Sequence, residues 1–510
     1  MYNDYNLLFC RLRNKAAGKE YIMSKTIKKM LALTLAVLMA LTMLASCADN
    51  KDNTDDTQGE KNTEAVETKN LYDAMEKTKY TGETFTILCR TDLMDDFYIE
   101  QYGAQENDIL DDMIYERNSV IKTDFGVTID TFDGGDYNAV NEKIKTQQSG
   151  GLDEFDIAIG HKYTFNSCAQ NNYLLDMNEI GTMDLHNPWW DATCRDNLTV
   201  GGKTVLMVGD IFPSSMEISS CFVFNKKMLK EFGKDEPYDA VKEQKWTLDM
   251  FNELTADVTL DLNGDGKIEY TSDRYGMTSW MMDVPFSMYY GAGGMFCKID
   301  EEGIPVLEFD QEEMFNIYEK IYQGLITQQA YFVTDGAQYP TTYEPFVAGR
   351  ALFCDITLSK LSFLQDMDQD YGIVPVPKYD EYQSDYLSFV NGASGLIGII
   401  NTEQRADFVG TMLEAMSAYN YCNVSPNMFE ICTKLKSARD PQSSEMVDLI
   451  IRNRIYDFAY WFDLPISNVV LQQLQAKKAE ISSAIKSSTK SSGNTLKQIL
   501  KAYEKSAAAQ

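Results

Sequence analysis

Residues 83–89 read ETFTILC, residues 126–132 read GVTIDTF and residues 155–160 read FDIAIG. Each is a short run rich in β-branched and aromatic residues, which predicts a strand. Between the first two lies a helical pattern, with Ile109, Leu110, Met113, Ile114, Val120 and Ile121 near a 3.6-residue period. A second helix is expected around Tyr137–Gln148. Strand, helix, strand, helix, strand predicts parallel α/β winding, in which ligands sit beyond the carboxyl ends of the strands. The residues at those ends are Arg90, Thr91 and Asp92, then His161, Lys162 and Tyr163.

Downstream, residues 204–208 (TVLMV) read as a strand, and residues 221–227 (CFVFNKK) as a strand leading into a helix near Met228. Trp246-Thr247-Leu248-Asp249 reads as the cap and start of another helix. Residues 346–355 read as a helix end turning into a strand, and residues 371–378 (YGIVPVPK) as a strand that a proline stops. The last third is helical, through Leu471, Leu474, Ile481 and Ile485 to Leu496, Ile499 and Leu500.

Upstream, residues 23–47 read MSKTIKKMLALTLAVLMALTMLASC. Lys25, Lys28 and Lys29 precede an apolar run from Met30 to Leu44, too short to span a bilayer comfortably, which predicts a signal peptide. Its end, Leu44-Ala45-Ser46-Cys47, resembles the bacterial lipobox, so Cys47 is the expected lipidation site. Residues 1–22 carry no pattern and read as a start-site artefact ahead of Met23. Residues 47–78 begin with a polar, charged stretch that buries too little apolar surface to offset ordering entropy, and are expected to be a flexible tether. No other run is long and apolar enough to cross a membrane.

The chain carries 46 basic and 77 acidic residues, a net charge of −31. Removing the first 46 residues, which hold more bases than acids, makes the remainder more acidic still. Nucleic acid and anionic lipid headgroups are therefore excluded as partners. After Cys47 the cysteines Cys89, Cys168, Cys194, Cys221, Cys297, Cys354, Cys422 and Cys432 are scattered without metal-ligand spacing, which argues against zinc. Several lie within apolar runs, and mostly free, buried thiols are expected. No cofactor is required by any motif. The sharpest local signal is Asp261-Leu262-Asn263-Gly264-Asp265-Gly266-Lys267-Ile268-Glu269, which resembles an EF-hand loop. Asp261, Asn263, Asp265, the Lys267 carbonyl and Glu269 would hold a structural calcium ion; Ser272 stands where the usual twelfth-position glutamate would be. The alternative is a polar turn without an ion.

The order of elements resembles the extracellular solute-binding proteins of ABC importers, in the carbohydrate-binding class that includes maltose-binding protein. Phe222-Val223-Phe224-Asn225-Lys226-Lys227-Met228-Leu229 is similar to that class's strand-to-helix step "YNKDLF", and Lys245–Phe251 to its "TWDEF". Phe346–Phe353 is similar to "F..GKAAM", residues 372–377 to "G..P.P", and Tyr289–Gly294 to the "..GG" turn. The pattern runs from about Thr84 to about Tyr503. It departs from the simplest sugar binders in an enlarged segment from Asn187 to Asp210 and in a longer tyrosine-rich region, Tyr379–Tyr386.

The resemblance implies a two-lobed α/β fold of the type II periplasmic-binding kind, with discontinuous lobes joined by crossing strands. Residues 79–222 and 355–405 would form lobe 1, and residues 223–354 and 406–505 lobe 2. It implies a monomer without enzymatic activity, lipid-anchored on the outer face of the membrane. Such a protein captures a solute between its lobes and passes it to ABC permease subunits. Sugars are held by aromatic faces and by carboxylates, amides and arginines. The candidates are Arg90, Asp92, His161 and Tyr163 from lobe 1, and Asp210 and Asp355 near the crossings. Trp280, Asp283, Tyr290 and Trp461 complete the set from lobe 2. Any one of the aromatics is equally suited to core packing, and Trp189–Trp190 to plugging the end of a lobe. His161 is either a hydrogen-bonding cleft residue or a satisfied core histidine. The expected ligand is an oligosaccharide, then a peptide or polyol. The rival readings are an exported glycan-active enzyme, although HExxH, GxSxG and phosphate-cradling motifs are absent, and a surface glycan- or peptide-binding lipoprotein that feeds no transporter.

Overall fold

Three of the expected strands pair side by side. The chain runs β1 (Thr84–Cys89), α1 (Ile109–Phe125), β2 (Thr128–Asp133), α2 (Tyr137–Gly150), β3 (Ile157–Gly160) and α3 (Lys162–Gln170). β1 lies parallel to both neighbours, with Ile87 opposite Thr131 on one side and Ile157 on the other. Phe85, Ile87, Ile157 and Ile159 are fully buried, so the apolar runs serve as the floor of a core. α2 starts where Asp136 accepts from the N–H groups of Asn138 and Ala139, and stops at Gly151, whose φ of 58° needs no Cβ clash to be avoided.

The computed structural model describes residues 70–96, 109–333, 339–365, 367–401, 404–430 and 439–508, all within the unit Thr68–Gln510. The signal segment, Cys47, most of the tether and Cys432 lie outside the described residues.

The chain continues through α4 (Ala192–Leu198), β4 (Ser220–Asn225), α5 (Leu248–Thr255), β5 (Tyr275–Trp280) and α6 (Val284–Gly291). Next come β6 (Cys297–Ile299), β7 (Pro305–Leu307), α7 (Gln311–Tyr322), β8 (Tyr331–Val333), α8 (Tyr339–Val347), β9 (Ala351–Thr357) and β10 (Tyr371–Val374). A second, five-stranded sheet has the order β10-β4-β9-β5-β8, with β5 parallel to β8 and β9 and with β4 antiparallel to β9 and β10. Thr247 caps α5 through its hydroxyl, as the sequence predicts. Trp246 stacks on Phe353 at 5.7 Å and reaches Phe251 at 6.4 Å, filling this lobe's core. Burying each such side chain contributes about 1.5–3 kcal/mol.

The remaining elements are β11 (Ser388–Phe389), β12 (Leu396–Ile399), α9 (Ala406–Tyr419), α10 (Pro441–Arg452), β13 (Arg454–Ile455), α11 (Phe458–Trp461), α12 (Val469–Gln475) and α13 (Ser482–Ala508). β12 returns to the first sheet, antiparallel to β3, giving the order β12-β3-β1-β2. The chain thus crosses between sheets just before β4 and again just before β12. The two crossings are paired: Ser219 bridges Val390, and the Asn391 N–H donates to the Ile218 carbonyl at 3.2 Å. Gly160, at the carboxyl end of β3, faces the start of β12, and Thr357, at the carboxyl end of β9, faces the start of β4. Both sheets therefore turn the carboxyl ends of their parallel strands toward the crossings, where two α/β lobes meet.

Three expectations differ. Residues 204–208 form no strand; Met207 makes a single bridge to Ile397, and Gly209 one to Trp190. Residues 355–374, expected in lobe 1, run in the second sheet because β9 and β10 flank β4. α9, expected in lobe 2, packs on the first: Phe408 contacts Tyr80 and Phe85 at 5.0 and 6.3 Å, and Arg405 pairs with Glu83 and Asp156.

Candidate functional site

The carboxyl ends of β1 and β3 present one group of side chains. Arg90, largely buried, directs Nε and Nη2 at the two carboxylate oxygens of Asp92, the latter at 2.8 Å. Asp92 remains half-exposed. His161 caps α3, its Nδ1 accepting from the Tyr163 N–H at 3.2 Å, which leaves the ring proton on Nε2. Burial, then the charges of Arg90 and Lys162, push His161 down to about 3, so the imidazole is neutral. Its ring stacks on Tyr163 at 4.8 Å, and Tyr137 stands 5.6 Å and 5.8 Å from the two. Tyr137 and Tyr163 are 39% and 41% exposed, unusual for rings with three aromatic contacts among them and open to a further face.

Between His161 and Tyr163 lies Lys162, which is buried. Its ammonium donates to the Tyr460 carbonyl at 2.7 Å, sits 3.7 Å from the Tyr460 ring centre and lies 3.6 Å from Asp463. Burial pulls Lys162 down to about 8 against the attraction of Asp463. Tyr460 itself packs on Phe286 of α6 and Phe389 of β11 at 5.0 and 4.8 Å, so this lysine joins the first lobe's strand ends to aromatics of the second.

In the second lobe Asp283 follows β5 and Lys360 follows β9. Asp283 accepts from the Asn391 side chain at 2.6 Å, and burial raises it to about 7 despite Lys360 and Asn391. Burial lowers the Lys360 ammonium, Asp92 and Asp283 counter it, and Arg90 opposes it in turn. Lys360 of one lobe and the Arg90–Asp92 pair of the other thus act on each other electrostatically. Arg90, Asp92, His161, Tyr163 and Asp283, all expected from the sequence, are brought together here, and Trp280 ends β5 half-buried three residues from Asp283.

The other candidates lie elsewhere. Tyr290 is 1% exposed, its ring flat on Phe389 at 5.5 Å and its hydroxyl on Asp457 at 3.0 Å; it is a core residue because α6 is buried along its whole length. Asp355 is buried on β9, accepting from Ser279 and Ser287 at 3.1 and 2.7 Å, and burial, reinforced by the Asp283 carboxyl, lifts it to about 8. Asp210 and Trp461 border a second polar cluster. Asp210 accepts from Ser425, while Arg454 pairs with Asp191 at 2.8 Å and Tyr456 donates to the same carboxylate. Trp461 is buried against Tyr456 and Tyr460. Trp189 and Trp190 are buried, and both indole N–H groups donate to Glu414 at 2.8 Å.

The EF-hand-like loop closes on itself. Asp261 accepts from the Gly264 and Gly266 N–H groups, Asn263 from Asp265, and Asp265 from Lys267. Asp273, not Glu269, ties the two sides, accepting from the Leu262 and Glu269 N–H groups. Among the described residues no three His, Cys, Asp or Glu side chains converge as a metal site. Among the described residues Cys168, Cys194, Cys221, Cys297, Cys354 and Cys422 form no disulfide, and all but Cys422 are buried.

Sequence reasoning passed over Tyr137, Lys360, Asn391, Tyr460 and Asp463. Tyr137 follows the carboxyl end of β2 and Lys360 that of β9, so the strand-end rule that found Arg90 reaches them too. Asn391, Tyr460 and Asp463 carry no local signal, since only the crossing of the chain brings them in.

Residues 120–425 match the bacterial extracellular solute-binding protein family, more than half of the chain. The chain belongs to that family. It is similar in fold to the crystal structure of UspC from M. tuberculosis, at 13% identity over 81% of this chain and 100% of that one, with a TM-score of 0.51. It is also similar to the ABC substrate-binding protein Lmo0181 from Listeria monocytogenes in complex with cycloalternan, at 14% identity over 82% and 99%, again with a TM-score of 0.51. None of the curated proteins matches the chain. In this solute-binding protein the carboxyl ends of the parallel strands face the crossings between the two sheets. Among the described residues no helix is long and apolar enough to cross a membrane.

Proposed function

We propose that this solute-binding protein captures an oligosaccharide between its lobes and delivers it to the permease of an ABC importer, tethered to the outer face of the membrane through lipidated Cys47. The observation that carries the reading is the Tyr137–His161–Tyr163 group, three rings within 6 Å of one another with two tyrosines open to solvent. Sugar C–H faces stack on such rings, and a neutral imidazole with Nε2–H free to donate suits a hydroxyl. Arg90 and Asp92 supply charged hydrogen-bonding groups around them. A structurally similar substrate-binding protein holds a sugar, cycloalternan, which supports the ligand class. On this reading the protein binds and releases its solute unchanged, and incubation with glycans is expected to leave them intact.

A thermal-shift screen against neutral oligosaccharides tests the reading. A ligand at a hundred times its Kd adds about 2.7 kcal/mol of stability. A rise in melting temperature with at least one of them is expected; a flat response across linear gluco-, xylo-, manno- and galacto-oligosaccharides overturns the ligand class.

A further inference from the structure

Residues 454–463 are held by both lobes. In the middle, Asp457 is fastened to the second lobe. Its carboxylate accepts from the Tyr290 hydroxyl of α6 and from the Phe296 and Cys297 N–H groups at the start of β6. At one end, Arg454 and the Tyr456 hydroxyl reach the same oxygen of Asp191, at 2.8 and 3.1 Å. Asp191 is part of the first lobe, since its N–H donates to the Val208 carbonyl beside the Met207–Ile397 bridge to β12. At the other end, the Tyr460 carbonyl and Asp463 take the ammonium of Lys162, which follows β3 of the first lobe.

Lys162 is 2% exposed, and an ammonium so enclosed depends on its partners. Its hydrogen-bonding partners come from residues 460–463, not from its own lobe. The crossing segment is gripped between the two sides. Gly392 accepts from the Lys162 N–H at 2.9 Å and donates its own to the Tyr460 hydroxyl at 3.0 Å. A Cβ at position 392 would come within 2.8 Å of the Lys162 stem, so glycine is what lets the lysine pass.

We propose that residues 454–463 are a strap that fastens the second lobe to two points of the first, Asp191 and Lys162, and that Lys162 is the positioning residue that holds the Tyr137–His161–Tyr163 platform at a set distance from the second lobe. His161 and Tyr163 flank Lys162 in the chain, so whatever moves the lysine moves both rings. With the strap in place the two halves of the cleft meet a ligand already aligned, and less binding free energy goes into ordering them. The positioning role rests on the oligosaccharide reading above; the strap itself does not.

The test uses the full chain and its Lys162→Met, Asp463→Asn and Tyr456→Phe variants. X-ray scattering without ligand measures how far apart the lobes lie, and urea unfolding measures stability. Calorimetry measures affinity for the gluco-, xylo-, manno- or galacto-tetrasaccharide that wild type binds most tightly. Lys162→Met is expected to enlarge the ligand-free radius of gyration and to weaken binding about tenfold, with saturating sugar bringing the radius back toward wild type. Its unfolding midpoint is expected to stay near that of wild type, because methionine fills the same space and Asp463, 41% exposed, stays hydrated. Asp463→Asn and Tyr456→Phe, which each weaken one end, are expected to shift radius and affinity the same way by less, and they carry the test should Lys162→Met not fold. A merely structural role would lower the midpoint and leave the radius and affinity of the folded protein alone. Folded variants with the wild-type radius overturn the strap, and a larger radius with unchanged affinity overturns the positioning role of Lys162. If wild type binds none of the sugars, the carbohydrate reading falls with the positioning role, and scattering alone decides the strap.

Discussion

The side chain of Asn391 donates to Asp283 at 2.6 Å, fastening the segment that crosses toward β12 to the loop that follows β5. Asn391 also donates its backbone N–H to Ile218 of the other crossing, so one residue ties both crossings to the second lobe. Replacing it by alanine leaves a largely buried carboxylate without this donor. Asn391→Ala is expected to lower stability by about 1–3 kcal/mol in urea unfolding; an unchanged midpoint would show that solvent replaces the amide freely.

The two raised carboxyls predict a pH dependence. Asp283 and Asp355 keep their protons to about 7 and about 8, whereas an unfolded aspartate releases its proton near 4. Between those values the folded chain binds more protons than the unfolded one. The stability linked to these groups is therefore complete below about pH 4 and is lost as pH rises through 7 and 8. Asp355→Asn keeps an acceptor for Ser279 or Ser287 but cannot ionise. Its melting temperature is expected to exceed that of wild type at pH 9, by a margin that closes toward pH 5. Parallel curves for the two proteins would refute the assignment.

Glu414 receives four donors in a nearly closed environment: the Asp184 N–H, the Asn187 amide and both indoles of Trp189 and Trp190. Truncation to alanine strands all of them. Glu414→Ala is expected to cost about 3 kcal/mol or more, and Glu414→Gln less, since an amide keeps one accepting oxygen. Chemical denaturation of the pair measures the difference, and equal losses would mean that the charge, not the acceptor geometry, holds the plug.

Tyr137 and Tyr163 are exposed enough that removing either ring leaves the core intact. Tyr163→Ala is expected to weaken oligosaccharide binding roughly fivefold, about 1 kcal/mol of stacking, with little change in melting temperature. Equal affinity in the variant, measured calorimetrically, would remove the stacking platform from the binding site.

These effects divide along the same line as what could be read from the sequence. Local signals carried the strands that begin the fold, the Thr247 cap and the stop at Pro375, because each depends on a few consecutive residues. The strand-end rule placed Arg90, Asp92 and His161 correctly beside one another, because parallel winding fixes where those ends point. Tyr290 and Trp461 came from the resemblance and not from that rule, and their aromatic character suits a cleft and a core equally; only their neighbours Phe389 and Tyr456 decide. The run at 204–208 is as apolar as a strand, yet Met207 finds only one bridging partner at Ile397. α9 was misplaced for a related reason: its amphipathic pattern says that it packs, whereas the Phe408–Phe85 contact says on what.

The unpaired thiols bear on where such a chain can mature. With Cys221 and Cys354 sealed beside each other's strands and the remaining buried thiols held by packing, the described body owes its shape to no covalent staple. Reducing agent in the buffer is expected to leave the unfolding curve of that body where it was.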